Sequence, residues 1–200
     1  MASRVEIANL ALLALGSGSK ITSLTDNSPA ARAIYAAFDM ARQAELRAHN
    51  WSFAIRRSTL PASATAPAWG FSLAYPMPAD CLRMVEVNRW HIAPAGYSYV
   101  DSSTADFAIE GREILTDIGA PLPVRYVQDV TDEGLFDALF CEAFALRLGM
   151  LTAEQITNAT RKKQSLQGDY QDALRRAVRA NSIELPPSAI ADDSWMLARL

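Results

Sequence analysis

The sequence predicts an α+β fold: an antiparallel helical bundle built from the N- and C-terminal helices, with an inserted small antiparallel β domain and an extended C-terminal arm. Three observations predict it. Apolar residues recur every three or four positions up to about residue 50 and again from about residue 131. Between those stretches the apolar period falls to two, as in a half-buried strand. Helical spacing then stops before Pro186-Pro187, because proline removes an amide donor and clashes with the preceding turn. The chain therefore divides into first helices (1–50), β insertion (51–130), last helices (131–182) and arm (183–200).

Each element follows from its own residues. Ser3 and Glu6 form a capping box, each side chain satisfying an orphaned amide of the other's backbone. Val5, Ala8, Leu12 and Leu15 then step along one helix face, and Gly16 supplies a left-handed stop. The polar stretch 17–27 has Ile21 and Leu24 as anchors. Ser28 before Pro29 reads as an N-cap with proline in the first turn, opening a helix that runs to about His49. Its alanines, Ala30, Ala33, Ala37, Ala41, Ala44 and Ala48, make a small-residue stripe beside Ile34 and Phe38, against which another helix can approach closely.

The period then changes. Trp51, Phe53 and Ile55 alternate with Ser52, Ala54 and Arg56, which predicts a strand. Trp69, Phe71, Leu73 and Tyr75 predict a second, ended by Pro76-Met77-Pro78. Further strands are expected over 82–87 and 124–127, with a hairpin of 107–110 and 113–116 turning at Gly111 with positive φ. Thr131 reads as an N-cap followed by Asp132 and Glu133, whose charges suit a helix start. Phe136, Leu139, Phe140, Ala143, Leu146 and Met150 give that helix a broad apolar face. Thr152 with Gln155 repeats the capping-box spacing, so a new helix is expected there after a tight corner. Ile156, Ala159, Leu166, Tyr170, Ala173, Ala177 and Ala180 step by three and four along it, with Lys163 filling one place, as on an amphipathic helix.

Composition bounds the function. A chain of 200 residues buries roughly 70% of its unfolded surface and needs neither disulfide nor metal to fold. Half of the residues are hydrophobic, and the net charge of −3 with a pI near 5.4 argues against a dedicated nucleic-acid binder, which needs a basic excess. Cys81 and Cys141 lie far apart and fit no metal-ligand spacing, so two reduced, buried thiols in a cytoplasmic protein are expected. The apolar run 7–15 lacks signal-peptide flanks and is too short to span a bilayer, which takes about 20 apolar residues.

Little in the sequence points to bond chemistry. His49 and His91 are the only histidines and bring no zinc set, and no G-x-S-x-G elbow is present. The 16–20 stretch, Gly-Ser-Gly-Ser-Lys, lacks the spacing of a phosphate-binding loop. Glu110, Glu113 and Asp117 could supply a glycosidase pair but are expected on the solvent side of a hairpin. Arg161, Lys162, Lys163, Arg175, Arg176 and Arg179 read as a solvated helix face with intersubunit ion pairs; an adhesive DNA-binding lining is the sharper alternative. No cofactor is expected.

Several stretches in order resemble one family. His49-Asn50-Trp51-Ser52-Phe53-Ala54 with Arg57, then Trp69-Gly70-Phe71, Tyr75-Pro76 and Pro78-Ala79-Asp80-Cys81-Leu82 are similar to the tail tubular protein A family of short-tailed phages and the related tail accessory factors. Glu110-Gly111-Arg112 before Ile114-Leu115, Tyr126 before Asp129 and Phe136, Leu151-Thr152, and Trp195 with Ala198-Arg199 continue the likeness over nearly the whole chain. Asn50 stands where many members have proline, which leaves that turn less rigid. The resemblance implies a non-enzymatic head-to-tail adaptor: a homo-oligomeric ring of about twelve copies between portal protein and tail nozzle protein. DNA would pass through its axial channel without sequence-specific binding. The expected location is the head–tail junction of a phage or prophage virion, after synthesis in the host cytoplasm, with no membrane partner.

On that reading Trp195, Met196, Leu197 and Arg199 dock on the portal or another partner, as an aromatic anchor with aliphatic companions does. Ala37, Ala41, Ala44 and Tyr170 pack subunits or bundle helices. Two rivals come from other classes: a tail-associated cell-wall hydrolase, and a DNA-binding regulator whose binding would fall steeply with salt.

Overall fold

The structure is a computed structural model that describes residues 2–88, 90–91, 107–157 and 160–184. Among them the chain is α+β, with four α-helices and two small antiparallel sheets. The helices are α1 (Arg4–Ala14), α2 (Pro29–Ala48), α3 (Ala138–Thr157) and α4 (Thr160–Glu184). The strands are β1 (Ile55–Leu60), β2 (Leu73–Pro76), β3 (Cys81–Val87), β4 (Trp90–His91), β5 (Phe107–Glu110), β6 (Glu113–Thr116) and β7 (Leu122–Gln128). One sheet has the order β1-β7-β3-β4, the other β2-β6-β5.

The helix starts follow their caps. The Ser3–Glu6 capping box is formed, and Gly16 follows α1 at φ 72°. The Ser28 hydroxyl accepts from the Ala31 amide at 3.1 Å, with Pro29 opening α2. Ile21 and Leu24 are buried and anchor the polar stretch between the two helices.

The four-stranded sheet serves two cores. Val85 of β3 and Val127 of β7 belong to the bundle core with Ile7, Leu12, Ile34, Phe38, Leu46, Phe144 and Leu148. Met84 and Val87 of β3 and Leu122, Val124 and Tyr126 of β7 face the second core, where Tyr75 and Ile114 come from the three-stranded sheet. The layers are therefore helices, four-stranded sheet and three-stranded sheet, the alternation of β side chains joining one core to the next.

Four local expectations change. Trp51 and Phe53 do not start a strand: Ser52–Ala54 is a 3₁₀ turn, with the Ala54 amide donating to the Trp51 carbonyl, and β1 begins at Ile55. The turn lets both rings point into the bundle, where each meets Phe140 edge-on with centroids 5.0 and 5.1 Å away. Aromatic packing decides this turn against period-two alternation. Trp69 and Phe71 also lie outside a strand. The β2–β6 ladder ends at Leu73 opposite Thr116, and Asp117 accepts the Ser72 amide at 2.8 Å, leaving Trp69 87% exposed.

At the last helices, Asp132 rather than Thr131 caps a single 3₁₀ turn, Glu133–Leu135. The helix itself starts at Ala138, where Asp137 accepts the Leu139 and Phe140 amides. No new helix opens at Thr152. Its hydroxyl donates to the Leu148 carbonyl at 2.8 Å, so this buried side chain is satisfied inside a continuous α3. The hairpin of β5 and β6, with Gly111 at φ 59°, forms as expected. The strands expected over 82–87 and 124–127 are present and slightly longer.

Candidate functional site

The deepest polar site lies where three helices meet. Glu45 of α2 has no solvent exposure. Arg147 of α3 donates to its carboxylate at 2.5 Å, and the Tyr170 hydroxyl of α4 donates to its two oxygens at 3.1 and 3.0 Å. Trp51 Nε1 donates to the Glu45 backbone carbonyl at 3.0 Å. Burial, reinforced by the Glu45 charge, pushes the Tyr170 phenol up to about 12. Burial works against the Arg147 charge, but the Glu45 carboxylate outweighs it and the guanidinium is held above its ordinary value. Tyr170, half-buried, thus packs α4 against α2 and α3 within the bundle.

A second network joins the bundle to β7. Arg42, 2% exposed, donates to the Asp129 carboxylate and, at 2.5 Å, to the Val130 carbonyl; Gln43 reaches Asp129 from the same helix at 2.8 Å. Arg4 of α1 bridges Glu133 at 2.7 Å and Asp39 at 3.1 Å. Both networks fix elements relative to one another.

Three arginines meet instead around an open cleft of about 360 Å³ between the end of α2, β3 and the β5–β6 turn. Arg47 donates to the Leu82 carbonyl. Arg83 donates to the Arg47 carbonyl at 3.0 Å and to Asn50 Oδ1 at 2.5 Å. Arg112 donates to the Pro78 carbonyl at 2.7 Å. None of the three pairs with a carboxylate among the described residues. Burial, then the like charge of Arg47, lowers the Arg83 pKa. Met77, Cys81, Leu82, Met84 and Ile109 also line the cleft, so its lining is both cationic and apolar.

Of the expected packing residues, Ala41 is buried, Ala37 is partly buried against the bundle core, and Ala44 is exposed. The buried stripe of α2 runs instead through Ala30, Ile34, Phe38, Ala41 and Glu45. The expected docking residues Trp195, Met196, Leu197 and Arg199 lie outside the described residues. Large apolar side chains stand in solvent elsewhere: Leu13 of α1 is 72% exposed, and Tyr35 and Met40 of α2 are 59% and 79% exposed. On α4, Lys163 pairs with Glu154 at 3.3 Å, Arg175 with Asp172 at 2.5 Å and Arg176 with Glu142 at 2.8 Å, all within the subunit.

The residues weighed for chemistry are scattered. His49 packs edge-on against Trp51 with centroids 5.5 Å apart, and burial lowers its pKa. Cys81 and Cys141 are free and buried in different cores; burial raises both, Cys141 to about 11. Glu110 and Glu113 face each other across the hairpin, both exposed, beside Trp69 in a shallow cleft of about 290 Å³. Asp117 is turned away to hold Ser72, whose hydroxyl and amide lower its pKa. Among the described residues no group of three or more His, Cys, Asp or Glu is placed to hold a metal ion, and no helix is long and apolar enough to cross a membrane.

Sequence reasoning missed Glu45, Arg42 and the arginine cleft. A charge standing on an otherwise apolar helical stripe was the available signal for the first two. Arg47, Arg83 and Arg112 come from three separate elements and carried no local signal. No protein-family model matches this chain, and a search of curated proteins gives no match.

Proposed function

We propose that this chain is a structural head-to-tail connector subunit of a phage or prophage virion, forming a ring between portal and tail nozzle around an axial DNA channel. The observation that carries the reading is the uncovered apolar surface of α1 and α2, where Leu13, Tyr35 and Met40 stand in solvent. A subunit closing into a ring needs two such flanks, each covered by a neighbouring copy. The ordered motifs from Trp51 to Trp195 support the same reading by their similarity to the adaptor family. In the assembled ring the arm carrying Trp195, Met196 and Leu197 reaches the portal. Free subunits stay monomeric, since premature closure would remove them from assembly.

Native mass spectrometry of the purified chain, alone and with the portal protein of the same genome, tests this. The expected spectra show monomer alone and a closed ring of about twelve copies on the portal. A stable ring without the portal contradicts the monomeric free state. No association with portal at micromolar concentration overturns the connector reading.

A cell-wall hydrolase is the second reading, favoured by the Glu110–Glu113 pair beside the exposed Trp69 ring. Neither glutamate is buried, and burial is what ordinarily keeps one carboxyl of a glycosidase pair protonated. Release of sugar from purified peptidoglycan by the wild type, lost in Glu110→Gln and Glu113→Gln, would establish it.

A further inference from the structure

The arginine cleft is built for a negatively charged, partly apolar segment. Each of its guanidinium groups is anchored by a neutral carbonyl, which fixes its position without cancelling its charge. A guanidinium has five N–H donors, so most remain available for an incoming oxyanion. Arg83 is crowded by the charge of Arg47, an arrangement that an entering carboxylate relieves. The apolar part of the lining, with Met77, Met84 and Ile109, suits apolar atoms rather than the uniformly charged backbone of a nucleic acid.

The chain itself carries a segment of that composition. Asp192-Asp193 stand next to Ser194-Trp195-Met196, and Arg199 is the only cation of 185–200. The described part of α4 is joined to Arg83 of the cleft through Asn50. Asn181 donates to the Asn50 carbonyl at 2.9 Å and accepts the Ser52 amide at 2.7 Å, and Asn50 is the residue whose side chain Arg83 holds. Asp192 lies eight positions past Glu184, a reach of up to roughly 27 Å in extended chain. Reach, charge and the apolar companion all match.

We infer that the Arg47–Arg83–Arg112 cleft binds the acidic Asp192-Asp193 segment of the same chain, latching the arm against the β domain. Carboxylate and guanidinium form charge-assisted hydrogen bonds there, and the neighbouring Trp195-Met196 covers the apolar lining residues while the subunit is free. The latch requires no ring. It goes beyond the connector reading and stands without it.

Hydrogen exchange of the full chain, followed on peptides covering 188–198, is the test. In the wild type these amides should exchange at least about tenfold more slowly than in Asp192→Asn/Asp193→Asn, a double substitution that removes two charges at nearly constant side-chain size. Arg112→Gln, at an exposed turn, should speed exchange in the same peptides while leaving those of α3 unchanged. About 0.5 M sodium chloride should remove most of the wild-type protection. Protection that is independent of protein concentration identifies the contact as within one chain; protection that vanishes on dilution overturns it in favour of a second copy. Equal exchange in the wild type and the double Asn variant overturns the latch. So does a duplex oligonucleotide that binds the wild type and not Arg112→Gln, since the cleft would then be a phosphate site.

Discussion

At the scale of single residues, burial gives charge its consequences. Glu45 is fully enclosed, and its carboxylate is acceptable there only because Arg147 and Tyr170 supply donors. Removing one partner of a buried pair leaves the other uncompensated, at a cost of about 3–5 kcal/mol. Arg147→Ala, which leaves the enclosed Glu45 carboxylate without its cation, should lose that much in urea unfolding, and Tyr170→Phe only about 1 kcal/mol, the usual worth of one hydrogen bond. An alanine variant as stable as the wild type would show that the network carries no stability. His49 makes a pH prediction. Burial, helped by Arg83 and opposed by Glu45, holds its folded pKa below the ordinary 6.5. The unfolded chain therefore takes up the proton first on acidification, and the contribution of His49 is present above pH 6.5 and lost as pH falls through the folded value. Between pH 7.5 and 5.5 the wild type should lose more unfolding free energy than His49→Gln; equal losses would refute the assignment.

At the scale of elements, packing distance is set by the smallest residue at a contact. Gly149 of α3 faces α1: a Cβ there would lie 3.3 Å from the Ala11 carbonyl oxygen and 3.5 Å from Leu166 Cδ1 of α4. Glycine costs helix propensity, about 1 kcal/mol relative to alanine, and here it permits close approach of three helices. Gly149→Leu should cost at least 1–3 kcal/mol, the usual overpacking range, read as a lower midpoint in urea. An unchanged midpoint would mean that α1 yields freely. The aromatic ladder of Phe38, Phe144, Phe140, Trp51 and Phe53 works the same way, joining α2, α3 and the turn before β1 through ring contacts of 5.0 to 6.1 Å.

At the scale of the whole molecule, the four-stranded sheet couples two cores, since adjacent residues of β3 and β7 point into different ones. Bundle and β insertion should accordingly unfold together. A coupled body of this kind suits the connector proposal, because load arriving at one layer passes to the next. The exposed side chains of α1 and α2 are where that proposal is most exposed to test. Met40→Glu, at a position 79% in solvent, should leave stability within about 0.5 kcal/mol yet block ring closure in the native mass spectra with portal. A Met40→Glu ring that closes normally would remove α2 from the subunit contact.

The sequence by itself determined the helices at both ends, the β insertion between them and the caps at Ser3 and Ser28, because these depend on spacing and on backbone groups a few residues away. It misplaced the segments around Trp51, Trp69 and Thr152, where alternation and capping patterns were present but a distant partner prevailed. Phe140 drew Trp51 and Phe53 inward, the ladder opposite Leu73 ended before Trp69, and Leu148 satisfied Thr152 within a continuous helix. Only the tertiary structure decided that Glu45 meets Arg147 and Tyr170, and that Arg47, Arg83 and Arg112 share one cleft. Local order is written in neighbouring residues, whereas the juxtaposition of charges from separate elements depends on how the layers pack, and no spacing along the chain encodes it.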